Sequence, residues 1–383
     1  MTGWDEWLDT SLARLTSDNQ RRELRAVTPT SAVRAVIDGR SVVLFSSNDY
    51  LGLSAHPEVR SAAAEAANGV GGGPRGSPLI CGYTAAHQAL EEDVAELKGC
   101  EAGLLFSTGY GANLGVMTAL AGPGTVVFSD ELNHASIVDG CRLARLSGAE
   151  VEVYPHRDAE ALEELMRASR AQRHLIVTDA VFSMDGDLAP LPDLVEVRER
   201  YGALLVVDEA HGSLVFGEDG GGLAQHFGVG EQIDVHVGTL SKAAGALGGF
   251  VATSARVRDW LLNRARTYIY STAPSLPVVE AARAGIRIAR RDPGLRRRLW
   301  DRVAQFGALV DAEPSSPIVP IVLGDERRAL EASRHLLEQD LHVVAVRPPT
   351  VPPGTSRLRI ALSAAHTQED IEALATALRP YLL

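Results

Sequence analysis

Lysine is nearly absent from this chain of 383 residues: of its 37 lysines and arginines, two are lysine, Lys98 and Lys242. Cysteine is scarce as well. Cys81, Cys100 and Cys141 are odd in number and show no CxxC spacing, which argues against a disulfide framework or a zinc ribbon and fits a reducing cytoplasm. No apolar run reaches the roughly 18 residues that a membrane span needs. The start of the chain, with Trp4, Asp5, Glu6 and Trp7, lacks the basic-then-apolar order of a secretory signal. A net charge of −12 leaves no basic surplus for nucleic acid or an anionic membrane surface. The expectation is a cytoplasmic enzyme or binding protein with one large domain and a smaller one.

The arginine bias sharpens the question of why two lysines remain. A guanidinium supplies positive charge but keeps its proton, whereas a lysine amine can act as a nucleophile. Lys98 stands in EEDVAELKG, which reads as a charged helix end closed by Gly99. Lys242 stands in VGTLSKAAGALGG, among small residues after an apolar run, where a merely solvating charge has little purpose.

Residues 1–25 show Trp4, Trp7, Leu8, Leu12 and Leu15 near helical spacing. Strands over 32–37 and 41–46 follow, divided by the Asp38-Gly39 turn signal. From about residue 55 to 255 helical stretches alternate with short apolar runs at 102–106, 125–128, 151–154, 175–178, 204–207, 235–238 and 249–253. These runs are continuous rather than alternating, which predicts an α/β fold with a mostly parallel central sheet buried on both faces. The last hundred or so residues read as a smaller α+β domain that the N-terminal segment would complete. The expected organisation is an N-terminal helical segment and hairpin over 1–50, a large α/β domain over 51–280 and the small C-terminal domain over 281–383.

Ligands of such sheets bind beyond the carboxyl ends of the strands, so the residues after each run are the candidates. They include Ser107-Thr108-Gly109-Tyr110-Gly111, Asn133-His134, Asp179, Asp208-Glu209-Ala210-His211 and Thr239 to Lys242. Pyridoxal 5′-phosphate (PLP) needs an amine for its aldehyde, a carboxylate for its ring nitrogen, amide donors at a helix N-terminus for its phosphate and a flat group over its ring. Lys242, Asp208, the 107–111 turn and His134 supply these in that order. Each has a plainer reading as a cap or a packed polar group; it is their joint presence that points to the cofactor. Asp208, Glu209 and His211 lack a second set of ligands at metal-binding spacing, so no metal is expected.

VVDEAHG followed by GTLSKAAGALGG resembles the PLP site of the α-oxoamine synthase family of fold-type I transferases. FSSNDYLGLSAHPEV, LICGYTAAHQALEEDVAELKG, FSTGYGANLG, DELNHASIVDG, VTDAVFSMDGDLAPL, YIYSTAPSLP and RPPTVPPGTSRLRIALSAAH carry the resemblance along nearly the whole chain. It implies that Lys242 binds the cofactor aldehyde and later moves a proton at the substrate Cα. It further implies that Asp208 pairs with the ring nitrogen, His211 bonds the ring hydroxyl and His134 stacks on the ring. Gly109, Tyr110, Ser183 and Thr239 become cofactor contacts, and Thr272 reaches the phosphate of a neighbouring subunit, so that a homodimer shares the site. Asn48 and Arg359 become holders of the amino-acid carboxylate, and Arg25 and Thr350 substrate contacts. Arg357 competes with Arg359, since alternation along a strand puts both on one face. The last motif most resembles family members that join L-alanine to a pimeloyl thioester. Members using glycine or serine, and an aminotransferase with the same lysine and aspartate, are the alternatives. The nature of the acyl carrier, coenzyme A or a carrier protein, is not legible.

Overall fold

The apolar runs of the central region become strands of one sheet, buried on both faces except at the edge strand Glu150–Tyr154. A computed structural model describes residues 2–382, and it divides into two compact units. The larger comprises Asn48–Ser183 and Asp187–Arg298; the smaller comprises Met1–Ser47, Met184–Gly186 and Leu299–Leu383.

In the larger unit, β1 (Ala102–Phe106), β2 (Thr125–Asp130), β3 (Glu150–Tyr154), β4 (Arg173–Asp179), β5 (Leu204–Asp208), β6 (Val235–Thr239) and β7 (Gly249–Thr253) form a sheet in the order β1-β7-β6-β5-β4-β2-β3. β7 runs antiparallel to β1 and β6, and the other pairings are parallel. Gly238 lies opposite Phe250 in the β6–β7 register. A Cβ there would come within 2.3 Å of the phenyl ring, so glycine is what lets that ring lie flat across the sheet. Val127, Val177, Val206, Val237 and Val251 pack with Val116, Met117 and Ile137 into the core beneath one face. Four helices position the site: α1 (Pro57–Val70), α2 (Gly109–Leu120), α3 (Ala135–Leu146) and α4 (Leu276–Arg291).

Residues 281–298 belong to the larger unit rather than to the C-terminal domain expected from residue 281 onward. The reason is packing. α4 buries Val279, Ala282, Gly285, Ile286 and Ala289 on one face, and it brings Gly285 so close to the Ala244 carbonyl that a Cβ would sit 2.1 Å from it. Lys98 does end the helix Ala85–Lys98, with Gly99 in the left-handed conformation closing it. Its amine is buried rather than solvated, and it donates to the Gly221 carbonyl at 2.6 Å.

The smaller unit contains the antiparallel pair Arg34–Ile37 and Arg40–Leu44. Asp38 and Gly39 join them with φ of 51° and 78°, as a tight hairpin turn requires. Leu341–His342 adds to it in parallel, while Ile318–Gly324, Ser356–Ala361 and Val344–Val346 form a separate antiparallel sheet. Phe45, Phe306, Leu336, Leu358, Ile360 and Leu374 share its core. The helix Gly3–Ser17 is closed at its start by the Thr2–Asp5 capping box. Its Trp4, Trp7, Leu8, Leu12 and Leu15 are all exposed. Among the described residues no helix is long and apolar enough to cross a membrane.

Candidate active site

Lys242 follows β6 on a loop held from both ends. Thr239 Oγ1 donates to the Gly248 carbonyl at 2.8 Å, and the Gly245 amide donates to the Lys242 carbonyl at 2.9 Å. Gly245 has φ of 69° and lies so near residues 53 and 54 that a Cβ would meet the Ser54 nitrogen at 2.5 Å. With Gly285 pressed on Ala244, the loop has little freedom to move the lysine. Lys242 Nζ sits 2.7 Å from His211 Nε2. His211 Nδ1 in turn lies 2.6 Å from the hydroxyl of Tyr50, which is fully buried. The Tyr50 hydroxyl also lies 3.3 Å from Asn48 Oδ1.

Asp208 ends β5, and both its oxygens are bonded. Oδ2 accepts from Asn113 Nδ2 at 2.6 Å, and Oδ1 from the Ala210 amide at 2.8 Å. Asn113, on α2, also donates to Ser136 Oγ at 2.9 Å, and Ser136 Oγ lies 2.7 Å from His134 Nδ1. One network therefore joins Asp208 to His134 across α2 and α3. His134 is the N-cap of α3, and its amide donates to Asp179 Oδ2 at 2.7 Å. The residue keeps an exposed surface, as stacking on a ring would require. Desolvation lowers its imidazole pKa, and the Lys242 charge lowers it further against the opposing pull of Asp208. Asp179 is buried beside Asp208; burial, and then the Asp208 charge, push its carboxyl well above the usual range.

At the start of α2, Thr108 is the N-cap and accepts from the Gly111 amide at 2.9 Å. Such a helix start offers amide donors to an anion. Gly109 lies against Thr239, where a Cβ would meet the threonine Cβ at 3.2 Å. The Tyr110 ring stands edge-on to His134 with centroids 6.5 Å apart, and its hydroxyl bonds Asp139. Ser107 Oγ donates to the Thr272 carbonyl at 2.6 Å, tying the exposed Thr272 segment to the same turn. Ser183 follows the buried Phe182 and is half-buried.

Gly249, at the start of β7, runs under this turn. A Cβ there would come within 2.4 Å of the Thr108 carbonyl oxygen and 2.6 Å of the Gly109 nitrogen. Both are backbone atoms and cannot swing away. Gly249→Ala is therefore expected to displace the start of α2 and weaken phosphate-group binding by roughly tenfold or more, at an overpacking cost of about 1–3 kcal/mol. Titration of the apoprotein with PLP, beside a thermal melt, checks this.

The larger unit thus gathers Lys242, His211, Asp208, His134, Thr239 and Gly109 from the strand ends of its sheet, with Asn48 from the segment ahead of α1. Their fit to a pyridoxal cofactor rests on this donor set: an amine, a charged carboxylate braced on both oxygens, an open imidazole face and a helix N-terminus. Glu209 lies outside the set. Its carboxylate accepts from the Leu223 and Ala224 amides at 2.9 and 3.0 Å. Two site residues escape sequence reasoning, Asn113 and Tyr50. An asparagine inside the apolar stretch GANLGVMTAL is the available signal for the first.

The remaining expected residues lie in the smaller unit. Arg357 and Arg359 are both buried on Ser356–Ala361. The Arg357 guanidinium pairs with the Asp185 carboxylate and donates to the Met184 carbonyl at 3.2 Å. Arg25 is exposed, and its charge helps hold the His342 imidazole low, after burial. Thr350 meets Arg22 rather than Arg25, with Arg22 Nη2 3.4 Å from Thr350 Oγ1.

Residues 40–378 match the model of the aminotransferase class I and II family. The chain belongs to this family. Within it the fold is that of the fold-type I transferases, and the chain stands among the α-oxoamine synthases. It is 50% identical over 375 residues to the 8-amino-7-oxononanoate synthase of Methylococcus capsulatus, covering 96% of each chain. Among solved structures it resembles a serine palmitoyltransferase from S. paucimobilis with bound PLP–myriocin, at a TM-score of 0.91 and 32% identity, covering 98% of this chain and 97% of that one. It also resembles the 8-amino-7-oxononanoate synthase of Francisella tularensis, at a TM-score of 0.74 and 27% identity, covering 89% of this chain and 99% of that one.

Proposed function

We propose that this α-oxoamine synthase uses PLP to join L-alanine to a pimeloyl thioester, releasing CO₂ and the free thiol carrier. That is the 8-amino-7-oxononanoate synthase reaction of biotin biosynthesis. The observation that carries the reading is the contact of the Lys242 amine with His211, beside the braced Asp208 carboxylate, in a chain about half identical to an enzyme of that name. When bound, PLP supplies an aldehyde that captures amino groups and a cationic ring that accepts the electron pair left at Cα.

The residues divide the remaining work. Lys242 holds the cofactor between turnovers; freed by the substrate amine, it takes the Cα proton and later returns one. Asp208 keeps a proton on the ring nitrogen by its charge, and His211 bonds the ring hydroxyl. His134 would stack on one face of the ring. Gly109, Tyr110, Ser183 and Thr239 would contact the cofactor, and Thr272 would reach the phosphate of the neighbouring subunit in a homodimer. Arg359, with Asn48, holds the alanine carboxylate, a task suited to a guanidinium fork. Arg25 and Thr350 contact substrate, Arg25 the acyl partner.

A turnover assay of the holoenzyme with alanine, glycine and serine against pimeloyl-, acetyl- and palmitoyl-CoA tests the reading. Alanine with the pimeloyl thioester should lead in kcat/KM by roughly tenfold or more over glycine, the discrimination one methyl group supports. A preference for glycine or serine, or conversion of alanine to pyruvate without thiol release, overturns it.

A further inference from the structure

His156 follows β3 and precedes the helix Ala159–Ala168, and both nitrogens of its ring meet carboxylates. Nδ1 lies 3.0 Å from Asp130 Oδ1, and Nε2 lies 2.8 Å from Asp187 Oδ2. Their other contacts show that both carboxylates are acceptors. Asp130 Oδ1 accepts from the Leu132 amide at 2.9 Å, and Oδ2 from the Arg157 amide at 2.8 Å. Asp187 Oδ2 also accepts from the Arg157 guanidinium at 3.2 Å. A neutral imidazole has one N–H, so one of its nitrogens would turn a lone pair on a carboxylate oxygen; only the imidazolium donates at both ends. The Phe182 ring stands perpendicular to the imidazole with centroids 4.3 Å apart, which fixes its orientation.

The two carboxylates stand on segments that carry expected cofactor contacts. Asp130 ends β2, and its Oδ1 and carbonyl oxygen take the Leu132 and Asn133 amides, which shapes the turn leading into His134. Asp187 closes a short hairpin. Val181 bridges Leu188, the Phe182 amide donates to the Asp187 carbonyl at 3.0 Å, and Ser183 begins the tip. Arg157 has a left-handed backbone, with φ of 59°, that a residue with a side chain rarely adopts. Its amide and its guanidinium reach the same two carboxylates.

We propose that His156, as an imidazolium, is a positioning residue that clamps the turn before His134 to the hairpin that carries Ser183. The role rests on the PLP reading above, in which both of those residues touch the cofactor. Burial, the largest single influence, pulls the His156 pKa down, but the bonds and charges of Asp130 and Asp187 together raise it above its ordinary value. The other charged groups around it favour the cation. Glu131, just past β2, accepts the His156 amide at 3.0 Å. The cleft of about 550 Å³ onto which His156 opens is lined by Asp158, Glu160, Glu163, Asp193 and Glu196 against Arg157 and Arg200. Because the folded-state pKa is raised, the stabilisation is complete below the ordinary value of about 6.5 and is lost as pH rises through the folded value.

A nitrogen NMR titration of the wild-type holoenzyme, with His156 assigned by the resonance that moves in Asp187→Asn, should give a midpoint above about 6.5 and two protonated ring nitrogens below that midpoint. In Asp187→Asn the midpoint should fall. A wild-type midpoint at or below the ordinary value overturns the proposal, and this arm does not depend on a substitution at His156. At pH values under the midpoint, kcat/KM of His156→Gln should lie roughly tenfold below the wild type, the scale of one hydrogen bond to a charged group. The gap should close as pH rises past the midpoint, because the wild type then loses the clamp as well. The difference in melting temperature should close over the same range. A gap in kcat/KM that stays constant with pH marks a side chain that only packs, and it overturns the positioning role. A wild-type protein that takes up no PLP sinks the cofactor reading and the positioning role with it, while the NMR midpoint still reports whether the clamp is charged.

Discussion

Lys242→Ala is expected to lower turnover by on the order of 10⁴-fold, because it removes an acid–base catalyst and the covalent anchor together. No other residue can take its place. Lys98, the chain's other lysine, is buried with its amine on the Gly221 carbonyl. Nor can the loop bring a substitute, since its Gly245 packs against backbone atoms of residues 53 and 54 and its Ala244 against Gly285 of α4. Lys242 itself is only half-buried, so the variant should melt close to the wild type. Its spectrum should lack the visible band of the lysine-bound cofactor. Lys242→Arg should fail as badly, because a guanidinium remains protonated and cannot serve as the amine. Added methylamine should restore part of the activity to the alanine variant and none to the arginine variant. Turnover within tenfold of wild type in Lys242→Ala would remove the assignment.

That lysine is legible in the sequence because it is one of only two in a chain that otherwise uses arginine, and the other, Lys98, ends a helix. The strands are legible for a different reason. Burial on both faces forces continuous apolar runs, and these are visible in one dimension. Their ends are less so. Asp130, Asp179, Asp208 and Thr239 prove to be the last residues of β2, β4, β5 and β6, since backbone pairing continues past the apolar stretch. The residues expected beyond the strands are thus held by the sheet itself, which fixes them more firmly than a loop would. Tyr50 gives no such signal because it precedes the first helix of the alternating region and follows no apolar run of the central sheet. Asn113 gives little because its partners, Asp208 and Ser136, are distant in sequence. The N-terminal helix shows the converse error. Apolar spacing predicts that a face exists, and it says nothing about what covers that face; here Trp4 and Trp7 stay exposed. Strand alternation likewise cannot separate Arg357 from Arg359, which stand two residues apart on one strand.

Asp208→Asn should cost about 10²–10³-fold in turnover, the scale of losing a preorganised electrostatic partner. The substitution preserves shape, which makes it a clean test of charge. Asn113 Nδ2 and the Ala210 amide both donate to the carboxylate, and together they orient and brace a buried negative charge. An asparagine can accept from one of them, but its own amide group must then face the other donor. It also cannot keep a proton on the ring nitrogen, so the ring loses its capacity as an electron acceptor. Asp179 is the internal control, because it lies directly opposite Asp208 in the β4–β5 register. Burial and the Asp208 charge push the Asp179 carboxyl well above its usual range, toward the neutral form. Its visible work is to accept the His134 amide, which an asparagine oxygen can also do. Asp179→Asn should therefore cost no more than about tenfold, the scale of one hydrogen bond. A further readout follows from His134, whose imidazole the Asp208 charge draws upward against burial. In Asp208→Asn that pull is gone, so the His134 titration should move to lower pH, while in Asp179→Asn the Asp208 pull remains. If the two variants lose activity equally, or if Asp179→Asn loses more, the electrostatic partner of the ring is not Asp208.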